Sequence, residues 1–115
     1  MNSPGVDPLT IVVIGAHPDD CEFFAGGTCC LWSEQGFRVH FISLTNGDVG
    51  HFQITEKSLA ERRLKEAQKS AALVGASLDI LDHQDGELEP TLSLRKEVVA
   101  LIRRYRADVV LTHRP

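Results

Sequence analysis

The sequence predicts an α/β fold, a Rossmann-like three-layer sandwich with a mostly parallel sheet truncated after its fourth strand. Two observations predict it. Short, wholly apolar, β-branched runs alternate with segments of helical period, and no repeat or low-complexity stretch interrupts the alternation. Strands buried on both faces read as unbroken apolar runs, and strands joined through helices pair in parallel by right-handed crossovers.

Thr10 to Ile14 is the first such run and predicts a strand buried on both faces. A helix from Phe24 to Gln35 follows, with Gly36 placed to end it in a left-handed conformation. Val39 to Leu44 predicts the second strand, which runs into the turn-rich Thr45-Asn46-Gly47-Asp48-Val49-Gly50. In the second helix Ser58 and Glu61 stand in capping-box register. Ala60, Leu64, Ala67, Ala71 and Val74 then recur at helical spacing, and Gly75 closes it. Leu78 to Leu81 predicts a third strand and Asp82 to Glu89 a polar loop. Leu94, Val98, Leu101 and Tyr105 mark a third helix capped by Thr91 or Ser93, and Asp108 to Thr112 is the fourth strand. With a strand order of 3-2-1-4, the chain reverses its winding between the first and fourth strands, and ligands of such sheets bind beyond the carboxyl ends there. Gly15-Ala16-His17 ends the first strand and Thr112-His113 the fourth, so both open onto one crevice. No helix follows the fourth strand before Pro115, which predicts uncovered apolar surface on that strand and leaves room for a homo-oligomer through it.

Composition narrows the function. Hydrophobic residues make up 43% and charged residues 24%, as in ordinary globular domains. A net charge of −4 argues against nucleic acid, and the one basic cluster, Arg103, Arg104 and Arg106, falls at a helix end where cations favour the dipole. No run approaches the roughly 18 apolar residues of a membrane span. The polar start, Met1 to Pro8, lacks the basic and apolar regions of a signal peptide. Three cysteines, Cys21, Cys29 and Cys30, form no CxxC pair, which predicts reduced thiols and a cytoplasmic protein.

The chemistry concentrates in Ala16-His17-Pro18-Asp19-Asp20-Cys21-Glu22, with one imidazole and three carboxylates directly after a buried strand. Pro18 stiffens the loop and restricts His17. His17 and Asp20, three apart in a turn, can converge on one cation, with Asp19 beside them. Mixed imidazole and carboxylate donors suit zinc or another first-row divalent metal better than calcium or magnesium. Residue types alone leave a plain alternative open, in which Asp19 or Asp20 caps the next helix and His17 is a loop residue.

This segment resembles the first signature of the PIG-L/LmbE de-N-acetylases, and the resemblance runs along the chain. Ala25-Gly26-Gly27-Thr28, the Thr45–Gly50 loop, Arg63-Leu64-Lys65-Glu66 with Gly75, Asp85-Gly86-Glu87-Leu88, and Ala107 through Pro115 follow in the family's order. The resemblance implies the N-terminal part of a single deacetylase-type α/β domain over residues 1–115. It implies a hydrolase that takes the acetyl group from an N-acetylglucosamine-type sugar or conjugate. In that pattern His17 and Asp20 are metal ligands and Asp19 is the general base. The family's second, HPDH-type signature would fall beyond Pro115 and bring a third ligand, so this stretch alone is expected to be inactive.

Arg63, Asp48 and Asp85 are candidates for substrate contact, although Arg63 equally suits a surface pair with Glu66 and the two aspartates suit turns. Glu22 is expected to orient the loop. His113 matches no family ligand but stands at the right strand end. His40, His51 and His83 have no ligand spacing and are expected at the surface or in loops. Three rival readings stand beside the hydrolase. One is a non-catalytic fragment that self-associates, and another is a metal-dependent amidohydrolase acting on a different amide. A nucleotide-binding Rossmann protein is disfavoured, because Gly15-Ala16-His17-Pro18-Asp19-Asp20 lacks GxGxxG and sets acid where a pyrophosphate would lie.

Overall fold

A computed structural model describes residues 8–17, 20–46, 56–83, 86 and 88–113, with the side chains of 56–60 and 63 excepted. Four strands and three helices alternate along the chain: β1 (Thr10–Gly15), α1 (Asp20–Glu34), β2 (Arg38–Ser43), α2 (Glu56–Leu73), β3 (Ala76–Ile80), α3 (Leu92–Arg104) and β4 (Val109–Leu111). All pairings are parallel and the sheet order is β3-β2-β1-β4, the order that places the winding reversal between β1 and β4.

The two-residue period of the strands divides the core. Ile11 and Val13 of β1, with Val39 and Phe41 of β2, point to the side covered by α1 and α2. Val12, Ile14 and Ile42 point to the other side, where Val98, Leu101, Ile102 and Tyr105 of α3 and its end pack on them. Cys21, Ala25, Cys29 and Trp32 form the stripe by which α1 sits on the sheet, and Cys29 behaves as a buried small apolar residue. Burial of Ala67 and Ala71 bears out the apolar face expected of α2, but Leu64 on that helix stays exposed.

Several boundaries differ from the sequence reading. Helix α1 begins at Asp20, four residues before Phe24, because the Asp20 N–H bonds to the His17 carbonyl and turns the chain directly into the helix. Helix α2 already runs at Glu56, so Ser58 lies inside it and is not its cap. Thr91, rather than Ser93, caps α3, with its hydroxyl accepting from the Leu94 N–H at 3.1 Å. Strand β4 is shorter than expected. Asp108 leaves the ladder to accept from the Thr10 N–H at 2.8 Å, and its own N–H returns to the Thr10 carbonyl. Helices α1 and α2 end as the sequence suggests, at Gly36 and Gly75 with φ of 88° and 75°.

Candidate functional site

The carboxyl end of β1 carries the site. The Ala16 peptide is gripped from both sides. Its carbonyl accepts from the Thr45 N–H at 3.0 Å and the Thr45 hydroxyl at 2.7 Å. Its N–H donates to Asp20 Oδ2 at 3.0 Å, and the His17 N–H donates to the same oxygen at 2.9 Å. Two backbone donors on one carboxylate oxygen make charge-assisted bonds that fix the direction of Asp20. Gly15 is required by this closeness, since a Cβ there would stand 2.7 Å from the Asp20 Cβ.

Two imidazoles face that carboxylate. His17 Nδ1 lies 3.4 Å and His113 Nε2 3.5 Å from Asp20 Oδ2. The sheet order does this by making β4 the neighbour of β1, so residues almost a chain length apart in sequence share one edge. Thr112 holds the β4 end in place by donating to the Ile14 carbonyl at 3.2 Å. The imidazoles are half exposed, at 47% and 45%, while the Asp20 side chain is 19% exposed. The carboxylate is therefore recessed while both rings reach solvent.

A cavity of about 240 Å³ opens beside them, lined by Gly15, Asp20, Cys21, Phe24, Leu111 and His113 among others. Phe24 stands edge-on to His113, with ring centroids 5.2 Å apart. Cys21 is not a nucleophile. Its thiol donates to the Val13 and Ile42 carbonyls, and burial, followed by the neighbouring Glu22 charge, pushes its pKa up to about 12. A larger hollow of about 790 Å³ is lined by α2 residues alone, mixed charges such as Arg62, Lys65 and Glu66, and gathers no convergent polar groups.

Two imidazoles and a carboxylate fit a first-row divalent cation by donor chemistry. They are not a closed cage. Both imidazoles approach an oxygen already taken by two backbone N–H groups, and among the described residues no three His, Cys, Asp or Glu side chains form a metal-binding group.

Of the residues singled out from sequence, His17, Asp20 and His113 come together. Glu22 lies in the first turn of α1, partly buried beside Cys21. Asp19, Asp48, Asp85 and His51 lie outside the described residues, as does the side chain of Arg63. Glu66, the surface partner suggested for Arg63, pairs with Arg62 at 3.2 Å. Sequence reasoning missed the cavity walls. Phe24 stands one helical turn beyond Asp20, and that spacing was the available signal once the helix is known to start at Asp20.

It also misplaced His40. Far from being a surface or loop residue, His40 is 5% exposed within β2. Its Nδ1 bonds the Ser77 hydroxyl, and its Nε2 lies 3.0 Å from Asp79 Oδ2 on β3. Tyr105 donates its hydroxyl to the same Asp79 oxygen and lays its ring 3.7 Å from the imidazole. The alternating pattern of β2 put a polar residue on a buried face, and two hydrogen-bond partners, Ser77 and Asp79, offset its burial. His83 does lie in a loop, where it pairs with Glu97 of α3 at 3.0 Å.

A parallel α/β sheet with an imidazole–carboxylate group at its winding reversal defines a doubly wound protein with a ligand site at the strand ends. Within that class, the chain belongs to the PIG-L family: the family model described as GlcNAc-PI de-N-acetylase matches residues 12–115. It is 36% identical to the diacetylchitobiose deacetylase of Thermococcus kodakarensis over 118 residues, which cover 100% of this chain and 44% of that one. Its fold is similar to that of N,N'-diacetylchitobiose deacetylase from Pyrococcus horikoshii, with TM-score 0.84 and 31% identity over 90% of this chain and 40% of that one. It is equally similar to 4-carboxy-2-hydroxymuconate hydratase from Pseudomonas putida, with TM-score 0.84 and 28% identity over 91% and 47%. The chain thus spans less than half the length of these relatives.

Proposed function

We propose that this chain forms the N-terminal part of a single deacetylase-type domain, a metal-dependent hydrolase that removes the acetyl group from an N-acetylglucosamine-type sugar or conjugate. One observation carries the proposal: a recessed Asp20 carboxylate, aimed by two backbone N–H groups and faced by His17 and His113 at the mouth of a cavity. The 36% identity to a diacetylchitobiose deacetylase supports the substrate class.

His17 and Asp20 would hold the metal, zinc or a related first-row ion, with His113 as the candidate third donor. A divalent cation there supplies Lewis acidity, polarising the amide carbonyl and lowering the pKa of water towards about 7. Asp19 is the general base of the proposal. It takes a proton from the attacking water, whose oxygen bonds to the acetyl carbon, and returns it to the sugar nitrogen as the C–N bond breaks. Acetate and a free amino sugar leave. Arg63, Asp48 and Asp85 are proposed to contact the sugar, and Glu22 to steady the loop. Three free cysteines and the lack, among the described residues, of a helix able to cross a membrane accord with the proposed cytoplasmic location. Val110, 41% exposed on β4, is the proposed seat of any self-association, which sedimentation would detect as a concentration-dependent mass.

Zinc titration of metal-stripped protein by calorimetry tests the site. Asp20→Ala is expected to abolish one-to-one binding, and His113→Ala to weaken it by tenfold or more, in the range of about 10–100-fold for groups that support a ligand. Equal zinc affinity in wild type and Asp20→Ala would overturn the assignment. A second reading has its own support. The Pseudomonas putida hydratase matches with the same TM-score as the deacetylase, so the scaffold also hosts addition of water to a conjugated acid. In a chain that also carries the rest of the proposed domain, acetate release from N,N'-diacetylchitobiose, against loss of the absorbance of a hydroxymuconate, separates the two; this stretch is expected to show neither by itself.

A further inference from the structure

Thr45, just past the end of β2, is 2% exposed and places two donors on one oxygen. Its N–H and its hydroxyl both reach the Ala16 carbonyl, at 3.0 and 2.7 Å. Burial explains why the hydroxyl has a partner. It does not explain the choice of a carbonyl that the Thr45 N–H already satisfies. Thr45 is itself held from its flanks. The Ser43 hydroxyl donates to the Thr45 carbonyl at 2.8 Å, and the Ser43 carbonyl accepts from the Leu81 N–H at 2.9 Å. Asn46 donates its N–H to the His83 carbonyl at 2.9 Å and its side-chain amide to Asp82 Oδ1 at 2.8 Å. The segment after β2 is therefore pinned to the end of β3, and Thr45 is a fixed stop for the loop after β1.

The Ala16 carbonyl and the His17 N–H belong to one peptide unit. Donors on the carbonyl draw electron density towards it and make the N–H a stronger donor, as linked hydrogen bonds polarise one another inside a protein. That N–H is one of the two that donate to Asp20 Oδ2. One line of bonds thus runs from the Thr45 hydroxyl, through the Ala16–His17 peptide, to the carboxylate. The other donor, the Ala16 N–H, belongs to the Gly15–Ala16 peptide and lies off that line. Turning the Ala16–His17 peptide would move the His17 Cα and the aim of Asp20 together.

We propose that Thr45 is a positioning residue, whose hydroxyl fixes the Ala16–His17 peptide and through it the direction in which His17 and Asp20 meet a metal. This rests on the metal reading of Asp20 given above. Thr45→Val keeps the shape of the side chain and leaves the Ala16 carbonyl its N–H bond, so the fold should persist in melting curves. Thr45→Ala removes the same hydroxyl and replaces that variant if it does not fold. Calorimetry on metal-stripped protein should show zinc affinity lower by about tenfold, the small end of the ~10–100-fold typical of groups that support a ligand. Thr45→Ser, which keeps the donor, should recover the affinity. NMR of the metal-free protein supplies the second readout. The His17 amide proton should move upfield and exchange faster in the valine variant, while the Ala16 amide stays in place. A general loosening of the loop would move both. Unchanged zinc affinity in the valine variant, equal movement of the two amides, or a serine variant as weak as the valine one overturns the proposal. A wild type that takes no zinc sinks the metal reading instead. The amides then decide alone whether Thr45 aims Asp20: movement confined to His17 upholds it, and any other pattern overturns it.

Discussion

Two histidine–aspartate groups lie on this sheet, and they are built in opposite ways. At the strand ends, Asp20 Oδ2 takes two backbone N–H bonds, and His17 and His113 face it with half their surface in water. On the face under α3, Asp79 Oδ2 takes Tyr105 and His40, and His40 spends its other nitrogen on Ser77. The first group keeps both imidazole rings half in solvent beside a cavity, where a ligand can reach them. The second spends both nitrogens of its imidazole inside the protein, so it joins β2, β3 and the end of α3. Chemical capacity follows from what the backbone satisfies and what it leaves over, not from the residue types.

Substituting His40 should break the comparison most forcefully. His40→Ala removes a buried ring from beneath Tyr105 and deprives Asp79 and Ser77 of a partner. A loss of about 2–4 kcal/mol is expected in urea unfolding. Zinc affinity, measured under folding conditions, should stay within a factor of two or so, because no atom of this group touches the strand-end site. An equal fall in zinc affinity would mean that the two groups are coupled.

Gly15→Ala is the reciprocal change. Its methyl would meet the Asp20 Cβ at 2.7 Å, so either β1 or the start of α1 must move. About 1–3 kcal/mol of overpacking strain is expected. Zinc affinity should fall by about 10–100-fold as Asp20 loses its aim. Here stability drops less than for His40→Ala and binding drops more, and that crossed pattern is what separates a site from a brace.

How much of this was legible beforehand depends on where the information lies. The β-branched run at Thr10–Ile14 and the alternation after it identified a parallel sheet, because two-sided burial leaves a strong local mark. Crossover rules fix the hand of each connection but allow more than one order of four strands, so β3-β2-β1-β4 was legible only as a condition and needs the structure. His17 and Asp20 were legible because they are local to one loop. His113 drew notice only for its strand end, and its approach to Asp20 needs the β1–β4 register. His40 was missed for a related reason. Its partners Ser77, Asp79 and Tyr105 come from other elements, and a histidine inside a strand carries no local sign of them.

pH should sharpen the contrast with a smaller effect. Burial holds the His40 pKa below its ordinary 6.5, against the opposing pull of Asp79. The unfolded chain therefore takes up the proton first. The contribution of His40 is complete above about pH 6.5 and is lost as pH falls from there through the folded-state value. Asp79 has the same sign further down. Burial would raise its pKa, but the bonds from Tyr105 and His40 outweigh it and hold the pKa below 3.8, so this part is lost only in stronger acid. Tyr105 runs the other way: burial and Asp79 raise it above 10.0, and its contribution is lost only in strong alkali. The urea midpoint should fall between pH 7.5 and 5, and His40→Gln should flatten that fall. An undiminished slope in the variant would remove His40 as its source.

The smallest effect concerns the thiols, and it tests whether the open group extends into chemistry at Cys21. Cys21 lines the cavity next to Asp20, where a reactive thiol would be expected of a nucleophilic site. Its Sγ is instead turned inward onto the Val13 and Ile42 carbonyls, and with a pKa of about 12 almost none of it is thiolate at neutral pH. Cys29 is fully buried, and burial raises its pKa as well. Cys30, half-buried on the other side of α1 and near Glu34, is the thiol left accessible. An aromatic disulfide reagent at pH 7.5 should therefore label one thiol per chain quickly, and Cys30→Ser should abolish that phase while zinc binding persists. Rapid labelling of Cys21 would mean that the cavity wall opens in solution. The site would then have a second chemical group, and the division between an open carboxylate centre and a closed sheet face would have to be redrawn.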